Sequence, residues 1–207
     1  MKILTCLFIL ISLCCSSALA QDEIKLQRDD ISVPTDFANA LKRANLYFTM
    51  PEGYTKTKVI ANNDMDYIYA IRSANKKIEV RYVIWPLDSQ LAEYNRPRDS
   101  GETRLDPNTI YKTTTFMHMA NISSQPFDQL QEVLSFDSAA VMNEFNADWG
   151  GTASVELRKS FGGKNKWCAV VGLHKDKVAD AWCFFLAKTK EDLLGEWENA
   201  FHSIRFK

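Results

Sequence analysis

Few groups in this chain have the type and spacing to do chemistry, and most fall in expected turns. Asp64 and Asp66 are two residues apart at a strand entrance, so their carboxylates project to one side. With Asn62 or backbone carbonyls they could hold a hard cation, but the glycine and closing glutamate of a helix-loop-helix calcium site are missing, which favours a solvated turn. No two of the three histidines, His118, His174 and His202, have zinc-ligand spacing, and no Cys-x-x-Cys accompanies them. There is no Gly-x-Ser-x-Gly elbow and no dinucleotide fingerprint. Gly150-Gly151-Thr152 and Gly162-Gly163-Lys164 read as loop punctuation, since neither follows a strand and opens a helix as a phosphate cradle would. No cofactor is implied.

Two sites remain for ligand contact. Asn146-Ala147-Asp148-Trp149-Gly150-Gly151 places an acid and a large aromatic at an expected helix exit, where side chains border clefts. Asp148 and Trp149 are therefore candidate contacts, with Trp149 folded onto the sheet edge as the alternative. Trp85, at a strand end beside the polar stretch 87–105, is the third candidate. A catalytic reading needs groups gathered from distant positions, such as His118 with Asp148 or Glu144.

The cysteines carry the strongest structural signal. Lys2, the apolar run Ile3–Cys15 and Ala18-Leu19-Ala20 read as a signal peptide over residues 1–20, so the chain is expected to be exported, periplasmic or extracellular. Cys14 and Cys15 raise a lipid anchor, which Leu13 disfavours because such signals want a small residue before the cysteine. No later stretch reaches the roughly 18 uncharged residues of a membrane span. Cys168 and Cys183 then remain, and an exported pair is a disulfide candidate. They lie in two β-rich runs, 167–171 and 181–186, separated by His174-Lys175-Asp176-Lys177. A turn symmetric about Lys175 and Asp176 sets Cys168 opposite Cys183, within bridging distance. Two buried free thiols are the alternative. The same register pairs Trp167 with Phe184 and Ala169 with Trp182; both faces of the hairpin are apolar, so both must be covered.

Residues 21–35 are polar and without period, a lead-in to a single domain over 36–207. A short helix is expected over 35–44, capped by Thr35, with Phe37 and Leu41 on one face. Strands follow at 46–49 and 54–61, then a hairpin of 67–72 and 77–85 whose Ile78, Val80, Tyr82 and Ile84 face the core. Residues 87–105 read as mobile or folded over a surface. Asp106-Pro107 starts a helix carrying Ile110, Met117 and Ala120 at helical spacing. A second helix spans 137–148, with Val141, Met142 and Phe145 inward and Gly150 past its end. Strand 153–159, the cysteine hairpin and a helix over 191–202 with Leu193, Leu194, Trp197 and Phe201 complete the chain.

Leu46-Tyr47-Phe48-Thr49-Met50-Pro51-Glu52-Gly53-Tyr54 at the entrance and Phe201-His202-Ser203-Ile204-Arg205-Phe206 at the exit, with strands and a helix between, resemble exported bacterial proteins of the PsbP-like fold. That family is named for an extrinsic photosystem II subunit. The resemblance covers residues 36–207 and implies an α+β fold, an α-β-α sandwich around a central, mainly antiparallel sheet. It also implies a non-catalytic accessory or binding role, and transfers no functional residue to a position here.

With 25 Lys+Arg against 26 Asp+Glu and 46% apolar residues, the chain is neither disordered nor a basic nucleic-acid binder. The expected function is an exported binding or assembly protein with an unidentified protein or small-molecule partner. A hydrolase or metal-assisted enzyme assembled from distant residues is the alternative.

Overall fold

From Pro34 onward the chain alternates short helices with the strands of one large antiparallel sheet. The computed structural model describes residues 34–207. The expected leader and most of the lead-in, with Cys6, Cys14 and Cys15, lie outside the described residues. Helix α1 (Thr35–Arg43) leads into β1 (Leu46–Phe48); β2 (Tyr54–Lys56) precedes the hairpin of β3 (Tyr69–Ser73) and β4 (Ile78–Pro86). Next come α2 (Asp88–Asn95), α3 (Tyr111–Ile122), β5 (Leu134–Ser135), α4 (Ser138–Phe145), β6 (Trp149–Glu156) and α5 (Lys159–Gly162). The hairpin of β7 (Trp167–Lys175) and β8 (Ala179–Ala187), then α6 (Lys190–Glu196), α7 (Glu198–Phe201) and β9 (Ile204–Phe206), end the chain. Seven strands form one sheet in the order β2-β3-β4-β8-β7-β6-β5, while β1 pairs with β9 separately.

Both faces of the sheet are covered by helices, as the doubly apolar hairpin requires. On one face Phe37 of α1, Val141 and Phe145 of α4, Leu193 of α6 and Ala200 of α7 pack over Val80, Tyr82, Val171 and Phe185. On the other, Met119 and Ile122 of α3 and Phe161 of α5 pack over Val83, Val155, Val170, Trp182 and Phe184. Each fully buried large apolar side chain contributes about 1.5–3 kcal/mol. The fold is the expected α+β sandwich around an antiparallel sheet. Among the described residues no helix is long and apolar enough to cross a membrane.

Local chemistry sets several boundaries. Helix α1 carries Asp36 in its first turn and Lys42 and Arg43 in its last, matching the helix dipole, although Pro34 rather than Thr35 occupies the cap position. The Asp137 carboxylate accepts the Ala140 N–H at 3.0 Å and starts α4. That helix ends at Asn146, which adopts the left-handed conformation at φ 49°. Gly150 is therefore not a helix terminator: it lies inside β6, as does Trp149. The polar stretch 87–105, expected to be mobile or folded over a surface, carries local structure. It contains α2, and the Arg104 guanidinium donates to the carbonyls of Glu93, Arg96 and Pro97, gathering the following loop around one side chain. The expected final helix is broken into α6 and α7 around Trp197, and Leu194 is exposed.

The cysteine hairpin departs from its expected register, and the disulfide is lost with it. The turn is Asp176-Lys177-Val178, with Lys177 at φ 60°. It is held from outside: Asp148 Oδ2 accepts the Asp176 N–H at 2.8 Å and Asn108 Oδ1 accepts the Lys177 N–H at 2.7 Å. Cys168 then faces Leu186, Cys183 faces Val171, and Trp167 faces Ala187 rather than Phe184. Because side chains alternate with period two, pairing residues of like parity puts an even-numbered and an odd-numbered cysteine on opposite faces. Cys168 belongs to the core under α3 and Cys183 to the opposite core; both are free, buried thiols.

Helix α3 also presents a different face from the expected one. It begins at Tyr111, because Asp106 Oδ1 accepts the Asn108 N–H in a local turn. Met117 is 45% exposed, and Thr115, His118, Met119 and Ile122 point inward.

Candidate functional site

The register of β4, β6, β7 and β8 places Val83, Gly151, Gly172 and Trp182 on the face that α3 covers, with Trp85, Trp149, His174 and Asp180 in the next row. This face also carries Glu79 and Arg81. The charged groups are split between its two ends.

At the first end, Trp149, His174, Asp180 and Trp85 stand in a single cross-strand row. His174 and Asp180 are both buried, with His174 Nδ1 2.6 Å from Asp180 Oδ1. The Tyr111 ring stacks on the His174 ring at 4.0 Å and lies 5.0 Å from that of Trp149. Burial pushes the Asp180 carboxyl upward against the opposing pull of its His174 hydrogen bond. The Tyr111 phenol is also raised, first by burial and then by Asp180, Asp176 and Asp148.

The residues singled out from the sequence are brought near one another here, but most serve packing. Trp149 is buried, and its Nε1–H donates to Ser135 Oγ at 3.0 Å, which is the alternative reading of that residue. Asp148 ties down the β7–β8 turn. Trp85 remains 38% exposed and borders a shallow hollow of about 240 Å³ with Arg43 and Gln90. The His174–Asp180 pair and the Tyr111 ring lie between Trp85 and Trp149, so the two indoles do not form one recognition surface.

His118 sits one helical turn beyond Thr115, with its ring edge-on to Trp85 at 5.2 Å and to Trp182 at 4.5 Å. Its Nε2 is enclosed without a hydrogen-bond partner among the described residues, and burial lowers the imidazole to about 4. The acids proposed as its partners are engaged elsewhere. Asp148 holds the Asp176 N–H, and Glu144, on a helix against the opposite face, pairs with His202 at 2.8 Å. Among the described residues neither Asp148 nor Glu144 hydrogen-bonds His118.

Among the described residues no group of three or more His, Cys, Asp or Glu side chains gathers as a metal site. Asp64 and Asp66 lie in a turn built by Asn62. Its Oδ1 accepts the N–H groups of Asp64 and Met65, and its Nδ2 donates to the Ile60 and Met65 carbonyls. The amide that could have joined a cation is spent on the turn.

The second end of this face was not singled out from the sequence, and it holds a preformed cleft. Glu79 and Arg81, two apart on β4, project to the same side and are both buried, each with a side chain 4% exposed. Arg81 Nε donates to Glu79 Oε1 at 2.8 Å and Nη1 to the Phe161 carbonyl at 2.6 Å. The guanidinium lies over both the Tyr67 and the Phe161 rings, 4.7 and 4.5 Å from their centroids. The other Glu79 oxygen accepts from Arg72 on β3. These groups form the floor of a recessed cleft of about 400 Å³, and Lys76, Lys164 and Lys188 stand around its rim. Lys76 reaches the rim from the β3–β4 turn at φ 60°. Lys164 does so from the loop after α5, where Gly163, at φ 61°, permits the reversal. None of the three rim lysines forms an ion pair among the described residues. A sequence signal existed: Arg72, Glu79 and Arg81 interrupt strands that are otherwise apolar, and Lys164 follows two glycines. Neither models of known protein families nor curated proteins give a match to this chain.

Proposed function

We propose that this is an exported, non-catalytic binding or assembly protein whose ligand or partner enters through the cleft above Arg81. The observation that carries the reading is that cleft. Its floor is a charged network locked by burial, by two aromatic rings and by a backbone carbonyl, so the site needs little reorganisation to bind. The resemblance to PsbP-like proteins, whose members act mainly as accessory or binding proteins, points the same way. The apolar run and small-residue pattern of residues 1–20 support export.

Native mass spectrometry of the protein recovered from its producing cells, before and after crosslinking in the exported fraction, tests the reading. A bound small molecule or a crosslinked partner, lost when the cleft is altered by Lys164→Glu, is the expected result. An empty monomer with no crosslinked partner would overturn it.

A further inference from the structure

We infer that the cleft above Arg81 binds a small soluble anion carrying two or more phosphoryl groups. This deepens the binding reading above and rests on it. Five cations, Arg72, Lys76, Arg81, Lys164 and Lys188, line the cleft against the single carboxylate of Glu79. That leaves a net of four positive charges in one hollow of a chain whose overall formal charge is −1. The excess is not dispersed over the surface, because the rim lysines have no ion-pair partners among the described residues.

The two kinds of cation do different work. Arg81 is buried and fixed, with Nε and Nη1 already donating, which leaves Nη2 without a protein partner among the described residues. A guanidinium held in one orientation presents directed donors to a tetrahedral oxyanion. The three lysines are flexible point charges on an exposed rim, suited to anionic oxygens in more than one position. A monoanion would offset only a quarter of the excess, whereas a diphosphate or triphosphate group comes close to balancing it. The occupant is a compact molecule: the hollow holds about 400 Å³, and the rings beside Arg81, Tyr67 and Phe161, are buried and turned to its guanidinium rather than free to stack on a base. This excludes extended single-stranded nucleic acid.

Titration calorimetry of the mature protein in phosphate-free, low-salt buffer tests the assignment, with pyrophosphate and tripolyphosphate as probes and citrate as a carboxylate of similar charge. One equivalent of either phosphate is expected to bind, at least tenfold more tightly than citrate and more weakly as salt rises. Lys76→Glu and Lys164→Glu, both at exposed positions, should each weaken binding about tenfold with the unfolding midpoint unchanged. Arg81→Lys, which keeps the charge and loses the fork, should erode the preference for phosphate over citrate. Equal affinity for citrate, or lysine reversals without effect, would overturn the phosphate assignment. So would binding only to vesicles containing phosphatidic acid, with no heat from the soluble phosphates. If the native protein carries a ligand or partner at the cleft while both phosphates give no heat, the ligand class is wrong and the binding reading stands. If it is also empty and partnerless, both fall.

Discussion

On one side of the seven-stranded sheet, Phe37 stacks on Tyr69 at 4.2 Å and Phe48 meets both Tyr69 and Tyr82 edge-on at 5.5 Å, under α1 and β1. On the other, Trp182 and Phe184 share their layer with His118, His174, Asp180, Glu79 and Arg81, all of them buried. The first face is closed by ring contact with few polar groups, among them the Tyr82 hydroxyl paired to Ser203 Oγ at 2.9 Å. The second must satisfy or isolate each charged group it covers. A buried charge costs several kcal/mol unless it is paired. The proposed binding cleft opens on the second face, while the first is held by apolar packing.

The largest expected effect breaks the charged floor at one partner. Glu79→Leu leaves Arg81 buried with only the Phe161 carbonyl and two ring faces, and should cost about 3–5 kcal/mol in chemical denaturation. Glu79→Leu with Arg81→Met should recover most of that loss, because neither charge then remains to be desolvated. If the double variant is as unstable as the single one, the floor is a packing unit like the opposite face, and the contrast between faces fails.

A somewhat smaller effect depends on pH. His118 is neutral in the folded protein down to about 4, while an unfolded histidine takes up its proton near 6.5. Between these values the unfolded state binds more protons, so stability is complete above pH 6.5 and falls as pH drops toward 4, by about 3 kcal/mol at most. Denaturation midpoints at pH 7 and pH 4.5 measure this. His118→Leu should flatten His118's share of the slope and remove the enclosed, unpaired Nε2. An unchanged slope would place the acid sensitivity elsewhere.

Next is the spacing of α3 from the sheet. Thr115 Oγ1 accepts the Trp182 Nε1–H at 2.8 Å while donating to the Tyr111 carbonyl. A Cβ at Gly172 would lie 2.9 Å from that oxygen and 3.1 Å from the Trp182 ring. Gly172→Ala is expected to cost about 1–3 kcal/mol by forcing helix and strand apart, read as a lowered thermal midpoint. Val171 and Leu173, neighbours on the same strand, point to the apolar face. A substitution to Ala at either removes methyl groups rather than adding one, so its cost has a different origin.

What could be read from the residues follows the same division. The apolar face was legible because Ile78, Val80, Tyr82 and Ile84 alternate and Phe37 and Leu41 are four apart; period alone identifies such positions. Alternation treats Glu79 and Arg81 as the solvent side of the same strand, and nothing local announces that Phe161, eighty residues on, supplies a carbonyl and a ring to hold Arg81 inside. The cleft was hidden for the same reason. Its lysines come from positions 76, 164 and 188 and meet only once β4, β8 and β7 are neighbours and α5 has turned back. The inward face of α3 was misjudged because Thr115 and His118 look like surface residues until Trp182 is placed beneath them.

The smallest expected effect is none at all, and it tests the register on which the two faces depend. With the turn at Asp176-Lys177-Val178, Cys168 and Cys183 project into opposite cores, and burial pushes both thiols well above their usual range, so neither is a thiolate at neutral pH. Reductant should therefore leave the unfolding midpoint unchanged, and unfolded, unreduced mature protein should titrate two thiols with Ellman's reagent. A midpoint that falls on reduction, with no free thiol after unfolding, would require the cysteines to share a face. The pairing of β7 with β8 would then be shifted by an odd number of residues, carrying Trp182 and Phe184 to the α1 side and removing the partners on which Thr115 and His118 rest.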